Sequence, residues 1–405
     1  MSLLQESALP ASVAGPAAWE GLPAAQQPHW RYHPDYLRTR EELALAPPLV
    51  SMAELDALQR ALATVAAGDA CLLQAGDCAE SLAECTPAAI EAKLAVLHSL
   101  ADTLTMGTGR LVVRIGRMGG QFAKPRSQAV EWHRDQELPA FRGHMVNSEL
   151  PTVTARQHDP GRMLCAYRAS AQVHRALAED RRQRVATGSL PGESGAWSSH
   201  EALVIDYEGS VIRIDPATGC SFLGSTHLPW VGERTRQPQS VHVRLLSSVR
   251  NPVGCKLGPA TGAADVARLC ELLDPDRVPG RLVLIVRMGA SRIREALPPL
   301  VAAVRQAGHP VTWVSDPMHG NTVRSTSGLK TRHLPDMIAE AVTFRSILER
   351  AGEHPAGLHL EVAASEVTEC VGGPVREEML PHRYTTLCDP RLNSEQAHEL
   401  IRAWT

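Results

Sequence analysis

Nowhere does the chain run apolar for long enough to cross a bilayer, so membrane insertion is excluded. The opening residues, Met1-Ser-Leu-Leu-Gln-Glu-Ser, lack the basic region and long apolar stretch of a secretory signal, and a cytoplasmic protein is expected. The lysines and arginines that matter are scattered singly along the chain instead of forming runs, and the formal charge is -3. That leaves no basic footprint for nucleic acid. Nine cysteines occur without a CxxC pair, which suits a reducing compartment better than a disulfide framework. Gly116-Arg117-Met118-Gly119-Gly120 is not the GxGxxG turn of a dinucleotide fold, and no P-loop is present. An open doubly wound sheet is therefore disfavoured. No internal repeat is visible.

What remains is a globular composition of 405 residues, 44% apolar and 21% charged. Such a length admits one large barrel with extensions or two ordinary domains. Residues through Pro47-Pro48 are rich in Pro, Ala and Gln, contain Gln26-Gln27-Pro28-His29-Trp30, and read as an irregular arm. Met52, Leu55, Leu58 and Leu62 then recur at helical spacing behind Ser51, and Glu54 completes a capping-box pattern. Residues 1–66 are accordingly assigned to an arm and helix packing on a barrel, and 67–405 to the barrel itself. Eight short apolar runs follow: Cys71–Ala75, Leu111–Ile115, Ala202–Ile205, Phe222–Ser225, Val253–Leu257, Leu282–Val286, Val311–Val314 and Leu358–Val362. Helix-length stretches such as Pro87–Thr105 and Ala263–Leu273 lie between most of them, and strands alternating with helices signal a parallel sheet. The expected fold is α/β, a (β/α)8 TIM barrel with an N-terminal extension. Pro125 to Ser199 is too long for one crossover, so extra helices, Ala166–Arg181 among them, are expected between strands 2 and 3.

A parallel barrel gathers the C-terminal ends of its strands at one rim, so polar residues that follow successive strands meet in space. Two sets stand out. Cys78, His319, Glu361 and Asp389 combine a thiolate, an imidazole and two carboxylates, a mixed donor set suited to a divalent transition-metal ion. Dissimilar ligands of this kind mark a catalytic rather than a structural site. Each has a bland reading as well: a lone cysteine is most often a small core residue, and Asp389-Pro390 is a common turn opening. Glu361 is harder to dismiss, because it lies inside an apolar run where an unpaired carboxylate is costly to bury. The second set is Arg117, Lys124, Arg126, Arg234, Lys256 and Arg287. Arg126, Arg234 and Arg236 read equally well as solvated rim charges, whereas Lys256 and Arg287 sit at apolar strands where a buried cation wants an anion. Two phosphorylated metabolites, one with a carboxylate, would bring roughly five negative charges at about -1.5 to -2 per phosphate. A zinc hydrolase would need the ligands but not six cations, and a scaffold protein would be expected to have lost some of them.

The ordered series of motifs resembles the class II 3-deoxy-D-arabino-heptulosonate 7-phosphate (DAHP) synthases. It runs from Trp30 through Gly76-Asp77-Cys78-Ala79-Glu80, Gln121-Phe122-Ala123-Lys124-Pro125-Arg126-Ser127, Gly232-Glu233-Arg234-Thr235, Asp316-Pro317-Met318-His319-Gly320-Asn321-Thr322 and Val367-Thr368-Glu369-Cys370 to Cys388-Asp389-Pro390-Arg391-Leu392-Asn393. The resemblance implies a metal-dependent condensation of phosphoenolpyruvate with erythrose 4-phosphate, the first step of the shikimate pathway. A related barrel enzyme that condenses phosphoenolpyruvate with another aldose phosphate is the alternative. By resemblance, Cys78, His319, Glu361 and Asp389 hold one divalent ion, Mn²⁺ or Co²⁺ first, with Fe²⁺, Zn²⁺ and Cd²⁺ also compatible. Arg117, Lys124, Glu233, Arg234, Lys256 and Arg287 would bind phosphoenolpyruvate, and Arg126 and Ser127 the phosphate of erythrose 4-phosphate. Lys256 is expected to act in catalysis, with Glu201 or Glu233 activating water. The segment between Ser127 and Ser199 looks shorter than in the members regulated by aromatic amino acids, and short members resemble those serving secondary metabolism, especially phenazine production. A homo-oligomer is expected; a chorismate mutase partner is known in the family but is not readable from these residues. Cys388 directly precedes Asp389, so it is expected either to reach Cys78 as a disulfide in oxidised metal-free protein or to point into the core behind its loop.

Overall fold

The computed structural model describes residues 21–186 and 195–405. The arm is not irregular throughout, since α1 (Tyr36–Leu45) forms within it. Tyr36, Thr39 and Leu43, spaced for one helical face, are the residues it buries. Behind it the expected capping box starts α2 (Met52–Ala66): the Ser51 side chain accepts from Glu54 N, and Ser51 N donates to Glu54 Oε2 at 2.8 Å.

Eight parallel strands close into a barrel. They are β1 (Ala70–Gly76), β2 (Leu111–Arg117), β3 (Ala196–Glu201), β4 (Leu228–Val231), β5 (Val253–Leu257), β6 (Leu282–Val286), β7 (Thr312–Ser315) and β8 (Pro355–Glu361). Each pairs with its neighbour in sequence, and β8 closes on β1. A Cβ on Gly357 would lie 1.8 Å from Leu72 O, so only glycine lets β8 approach β1 this closely. The further helices are α3 (Pro87–Thr108), α4 (Arg162–Ala186), α5 (Ile205–Ser210), α6 (Val241–Ser247), α7 (Ala263–Leu273), α8 (Ile293–Ala307), α9 (Leu334–Arg350) and α10 (Ser394–Trp404).

Two strand expectations are corrected. The third barrel strand is not Ala202–Ile205 but Ala196–Glu201, and Ala202 to Val204 lead into α5 instead. Its sequence, Ala-Trp-Ser-Ser-His-Glu, looks polar, yet all six residues are buried, and Ser198, Ser199 and His200 meet partners from other elements. Ser198 Oγ lies 2.8 Å from both His174 Nε2 and His227 Nδ1, Ser199 Oγ donates to Gly116 O, and His200 Nε2 is 2.8 Å from Glu208 Oε1. The fourth strand is Leu228–Val231; within Phe222–Ser225, Phe222 and Leu223 instead form an antiparallel hairpin with Ile212–Ile214. Among the described residues, the insert between β2 and β3 holds one long helix, α4, and a hairpin of Val130–His133 with Gln136–Pro139.

The apolar interior divides in two. Leu72, Val113, Ile115, Trp230, Val283, Ile285 and Val314 share one cluster with Leu58, Leu62 and Val65 of α2. A larger cluster includes Leu73, Leu284 and Leu360 from the strands together with Leu97, Leu269 and Leu300 from the helices. Alternate residues of each strand thus face opposite sides, as the period of two requires.

Candidate active site at the barrel rim

The chemistry-bearing residues stand at or just beyond the C-terminal ends of the strands. Arg117 and Glu361 are the last residues of β2 and β8, Glu201 ends β3, and Lys256 is the penultimate residue of β5. Cys78 follows β1, Glu233 and Arg234 follow β4, Arg287 follows β6, and Asp316 and His319 follow β7.

Glu361 is the hub. It has no solvent exposure, and its Oε1 lies 2.9 Å from Arg117 Nη2, 3.1 Å from His319 Nε2 and 3.7 Å from Lys124 Nζ. Its other oxygen accepts from Arg332 Nη1 at 2.8 Å. Burial opposes ionisation here, but the His319 imidazole and the Arg332 and Lys124 charges outweigh it and hold the carboxyl well below its ordinary range. A second carboxylate, Asp316, is equally buried and accepts from Lys256 Nζ at 2.9 Å, with His319 Nδ1 at 2.8 Å from the same oxygen. Burial again works against the charge, and His319 and Lys256 override it. Arg117 donates through Nε to Asp77 O, hydrogen bonds His359 through Nη1, and lies 5.1 Å from the Trp230 ring centre.

The four expected metal ligands meet as two pairs. His319 faces Glu361, and Cys78 Sγ lies 3.9 Å from Asp389 Oδ2 while accepting from Asp389 N at 3.3 Å. Lys124 addresses both pairs, since its ammonium is held above its ordinary range by Cys78, Glu361 and Asp389 against the opposing effect of burial. Among the described residues, no three such side chains converge on a point that would hold an ion. The donor chemistry nevertheless fits one: Asp316 fixes His319 through Nδ1 and leaves Nε2 directed at Glu361, the orientation a carboxylate imposes on a metal-binding histidine. Cys388 does not turn into the core behind its loop; its partly buried sulfur accepts from Arg126 Nη1 at 3.6 Å, and both it and Cys78 are free thiols.

The remaining candidates are looser. Arg287 is half-buried and donates to His319 O at 2.6 Å. Arg234 is exposed and donates to Ser127 Oγ at 2.8 Å, and Arg126 pairs with Glu131 at 3.0 Å. Glu233 is engaged by Arg236 at 3.0 Å, whereas the buried Glu201 keeps Oε1 without a hydrogen-bond partner. A Cβ on Gly232 would lie 2.0 Å from that oxygen, so the glycine makes room for the Glu201 carboxylate. Reasoning from sequence missed Arg332, which is fully buried and follows the short Lys330–Thr331 strand, where no apolar run flags it. It also gave no role to Asp316 or to Arg391. Arg391 bridges Asp77 at 2.7 Å and Glu369 at 2.9 Å, so it ties the loop bearing Cys78 to the loop bearing Asp389.

A closed parallel barrel with buried cations and carboxylates gathered at its C-terminal rim is the build of a barrel enzyme. Comparison with known proteins carries the assignment further. The model of the Class-II DAHP synthetase family matches residues 14–188 and 183–403. A probable phospho-2-dehydro-3-deoxyheptonate aldolase of Pseudomonas fluorescens is 45% identical, with 94% of each chain covered. The phospho-2-dehydro-3-deoxyheptonate aldolase of Streptomyces coelicolor is 40% identical over 94% of each chain, and that of Mycolicibacterium smegmatis 39% identical over 93% of this chain and 91% of its own. The chain belongs to the class-II DAHP synthetase family and is therefore an enzyme, a transferase. The structure of phospho-2-dehydro-3-deoxyheptonate aldolase from Francisella tularensis SCHU S4 superposes with a TM-score of 0.54 over 90% of this chain and 97% of that one. At 15% identity it bears on the fold alone.

Proposed function

We propose that the rim condenses phosphoenolpyruvate with erythrose 4-phosphate and water, releasing DAHP and inorganic phosphate, as the first step of the shikimate pathway. The observation that carries this reading is a surplus of buried positive charge. The single carboxylate of Glu361 is met by Arg117, Lys124 and Arg332, all buried, in addition to His319. Buried cations in excess of their carboxylates call for an anionic substrate, and a doubly charged phosphate with a carboxylate is such a substrate.

Arg117, Lys124, Arg234, Lys256 and Arg287 hold the phosphate and carboxylate of phosphoenolpyruvate, and Arg126 and Ser127 take the phosphate of the aldose. A divalent ion held by Cys78, His319, Glu361 and Asp389, Mn²⁺ or Co²⁺ by preference, would polarise the aldehyde as a Lewis acid. C3 of phosphoenolpyruvate attacks the aldehyde carbon and positive charge develops at C2. Water adds at C2 and gives its proton to Glu201, whose buried Oε1 is free to accept it. Glu233 is less suited, because Arg236 already engages both its oxygens. The resulting hemiketal phosphate then expels inorganic phosphate, with Arg234, Lys256 and Arg287 compensating the departing charge in a preorganised site. The short segment between Ser127 and Ser199 favours service to secondary metabolism, phenazine production in particular.

The test is release of phosphate from phosphoenolpyruvate with erythrose 4-phosphate, with a second aldose phosphate, and with neither. Release should require erythrose 4-phosphate, cease with chelator and return with Mn²⁺ or Co²⁺. Release from phosphoenolpyruvate alone, equal use of both aldoses, or full activity of metal-free protein would each overturn part of the reading.

A further inference from the structure

The Gln26-Gln27 pair of the arm makes two unusual contacts with the catalytic rim. Gln26 Oε1 accepts from Arg126 N at 2.9 Å, and Gln26 Nε2 donates to Arg126 O at 3.2 Å. One side-chain amide therefore satisfies both main-chain groups of a residue 100 positions away. Among the described residues nothing else bonds to the Arg126 main chain. Gln27 bridges two residues of the next loop, donating to Leu203 O at 2.8 Å and accepting from Ile205 N at 2.9 Å.

Gln26 also sits at φ 63°, in the left-handed region that residues other than Gly, Asn and Asp seldom adopt. Arg142 holds that kink: its guanidinium bonds Gln26 O, and its own carbonyl accepts from Lys124 N at 2.9 Å. Strained backbone persists only where its surroundings enforce it. Here the kink directs the amide at the Lys124-Pro125-Arg126-Ser127 loop, whose Pro125 has no N–H to secure it otherwise. Beyond Gln26, among the described residues, Arg126 is held through its own side chain, by Glu131 and the Cys388 sulfur.

We infer that Gln26 is a positioning residue for the anion subsite made by Arg126 and Ser127, so that the arm sets affinity for the phosphorylated aldehyde. This rests on the subsite assignment made under the proposed function. A loop already fixed before binding does not lose that freedom when the phosphate arrives, and the gain appears in the KM for the substrate whose phosphate it holds. Phosphoenolpyruvate is held by residues on or directly after the strands and by Lys124, whose N–H is fixed by Arg142 O and not by Gln26, so its binding does not depend on this amide.

Gln26→Gly separates positioning from stability, because glycine is at ease at positive φ while removing the amide. In steady-state kinetics of the full chain, the KM for erythrose 4-phosphate should rise about tenfold, since small misplacement of a substrate-positioning group is costly. The KM for phosphoenolpyruvate and the melting temperature should stay near those of the unaltered protein. Gln26→Asn tolerates the same backbone with an amide one methylene too short, and it should repeat the effect if the glycine variant loses structure. An unchanged KM for erythrose 4-phosphate, or a parallel rise for both substrates, would overturn the inference. If the unaltered protein fails to condense the two substrates, the proposed function falls. Calorimetric binding of inorganic phosphate then decides the subsite by itself: weaker binding in both variants supports the positioning role, and equal binding removes it.

Discussion

One oxygen of Asp316 takes the Lys256 ammonium at 2.9 Å and stands 2.8 Å from His319 Nδ1, so a single carboxylate orients both a proposed substrate-binding cation and a proposed metal ligand. Asp316→Asn should therefore weaken two properties together. Metal affinity should fall about 10- to 100-fold, the usual cost of losing the partner that orients a metal-binding histidine. The kcat/KM for phosphoenolpyruvate should fall more than about tenfold, because a charge-assisted contact is worth roughly 1.5 to 3 kcal/mol. Lys256→Ala should reproduce the second loss without the first. Metal content after dialysis, measured beside the kinetics, separates the two; an asparagine variant normal in both would break the link. Lys256 was legible in sequence because a lysine within Val253–Leu257 contradicts its apolar surroundings. Asp316 was not, because its value lies in two partners that the chain brings from 60 and 3 positions away.

At the scale of elements, α9 reaches under the rim through Glu340. This buried carboxylate accepts from Met288 N at 2.7 Å, Gly289 N at 2.9 Å and Asn321 Nδ2 at 2.7 Å, and so clamps the loop after β6 to the loop after β7. Burial pushes its carboxyl from 4.5 up to about 7, against the lowering effect of the two backbone N–H groups. Between those values the folded protein binds the proton that the unfolded chain has released. The stabilisation from protonated Glu340 is thus complete below about 4.5 and is lost as the pH rises through about 7. Glu340→Gln should remove this part of the pH dependence, and its melting temperature should fall less steeply than that of the unaltered protein across that window. Parallel curves would show that Glu340 does not carry the effect. The helices themselves were the easier part to read: Ser51 and Glu54 announce α2, and Ala263–Leu273 emerges with the expected bounds. The strand β3 was not, because Ser198 within it is satisfied by His174 and His227, which no local pattern reveals, and β4 is only the four residues Leu228–Val231.

For the whole molecule, the insert between β2 and β3 contains among its described residues only α4, a hairpin and connecting loops. Phe, Tyr and Trp, alone or together at millimolar concentration, should accordingly inhibit turnover little. Synergistic inhibition by any pair of them in the phosphate-release assay would show that regulatory sites exist elsewhere. No helix among the described residues is long and apolar enough to cross a membrane.

The alternation of apolar runs with helix-length stretches was enough to determine a parallel barrel, since each run is short, local and interrupted in a way only crossover connections explain. Charge inside apolar context was enough to mark Glu361 and Lys256, because the cost of burying an unpaired charge is a property of the residue and its immediate neighbours. Tertiary structure alone decided which charges answer one another. Glu361 meets Arg117 and Arg332 across 244 and 29 positions, and Arg391 meets Asp77 across 314. Gln26 likewise found the Arg126 peptide only through folding, since hydrogen bonds over such separations depend on where the closed sheet sets the loops and leave no period or spacing in the chain.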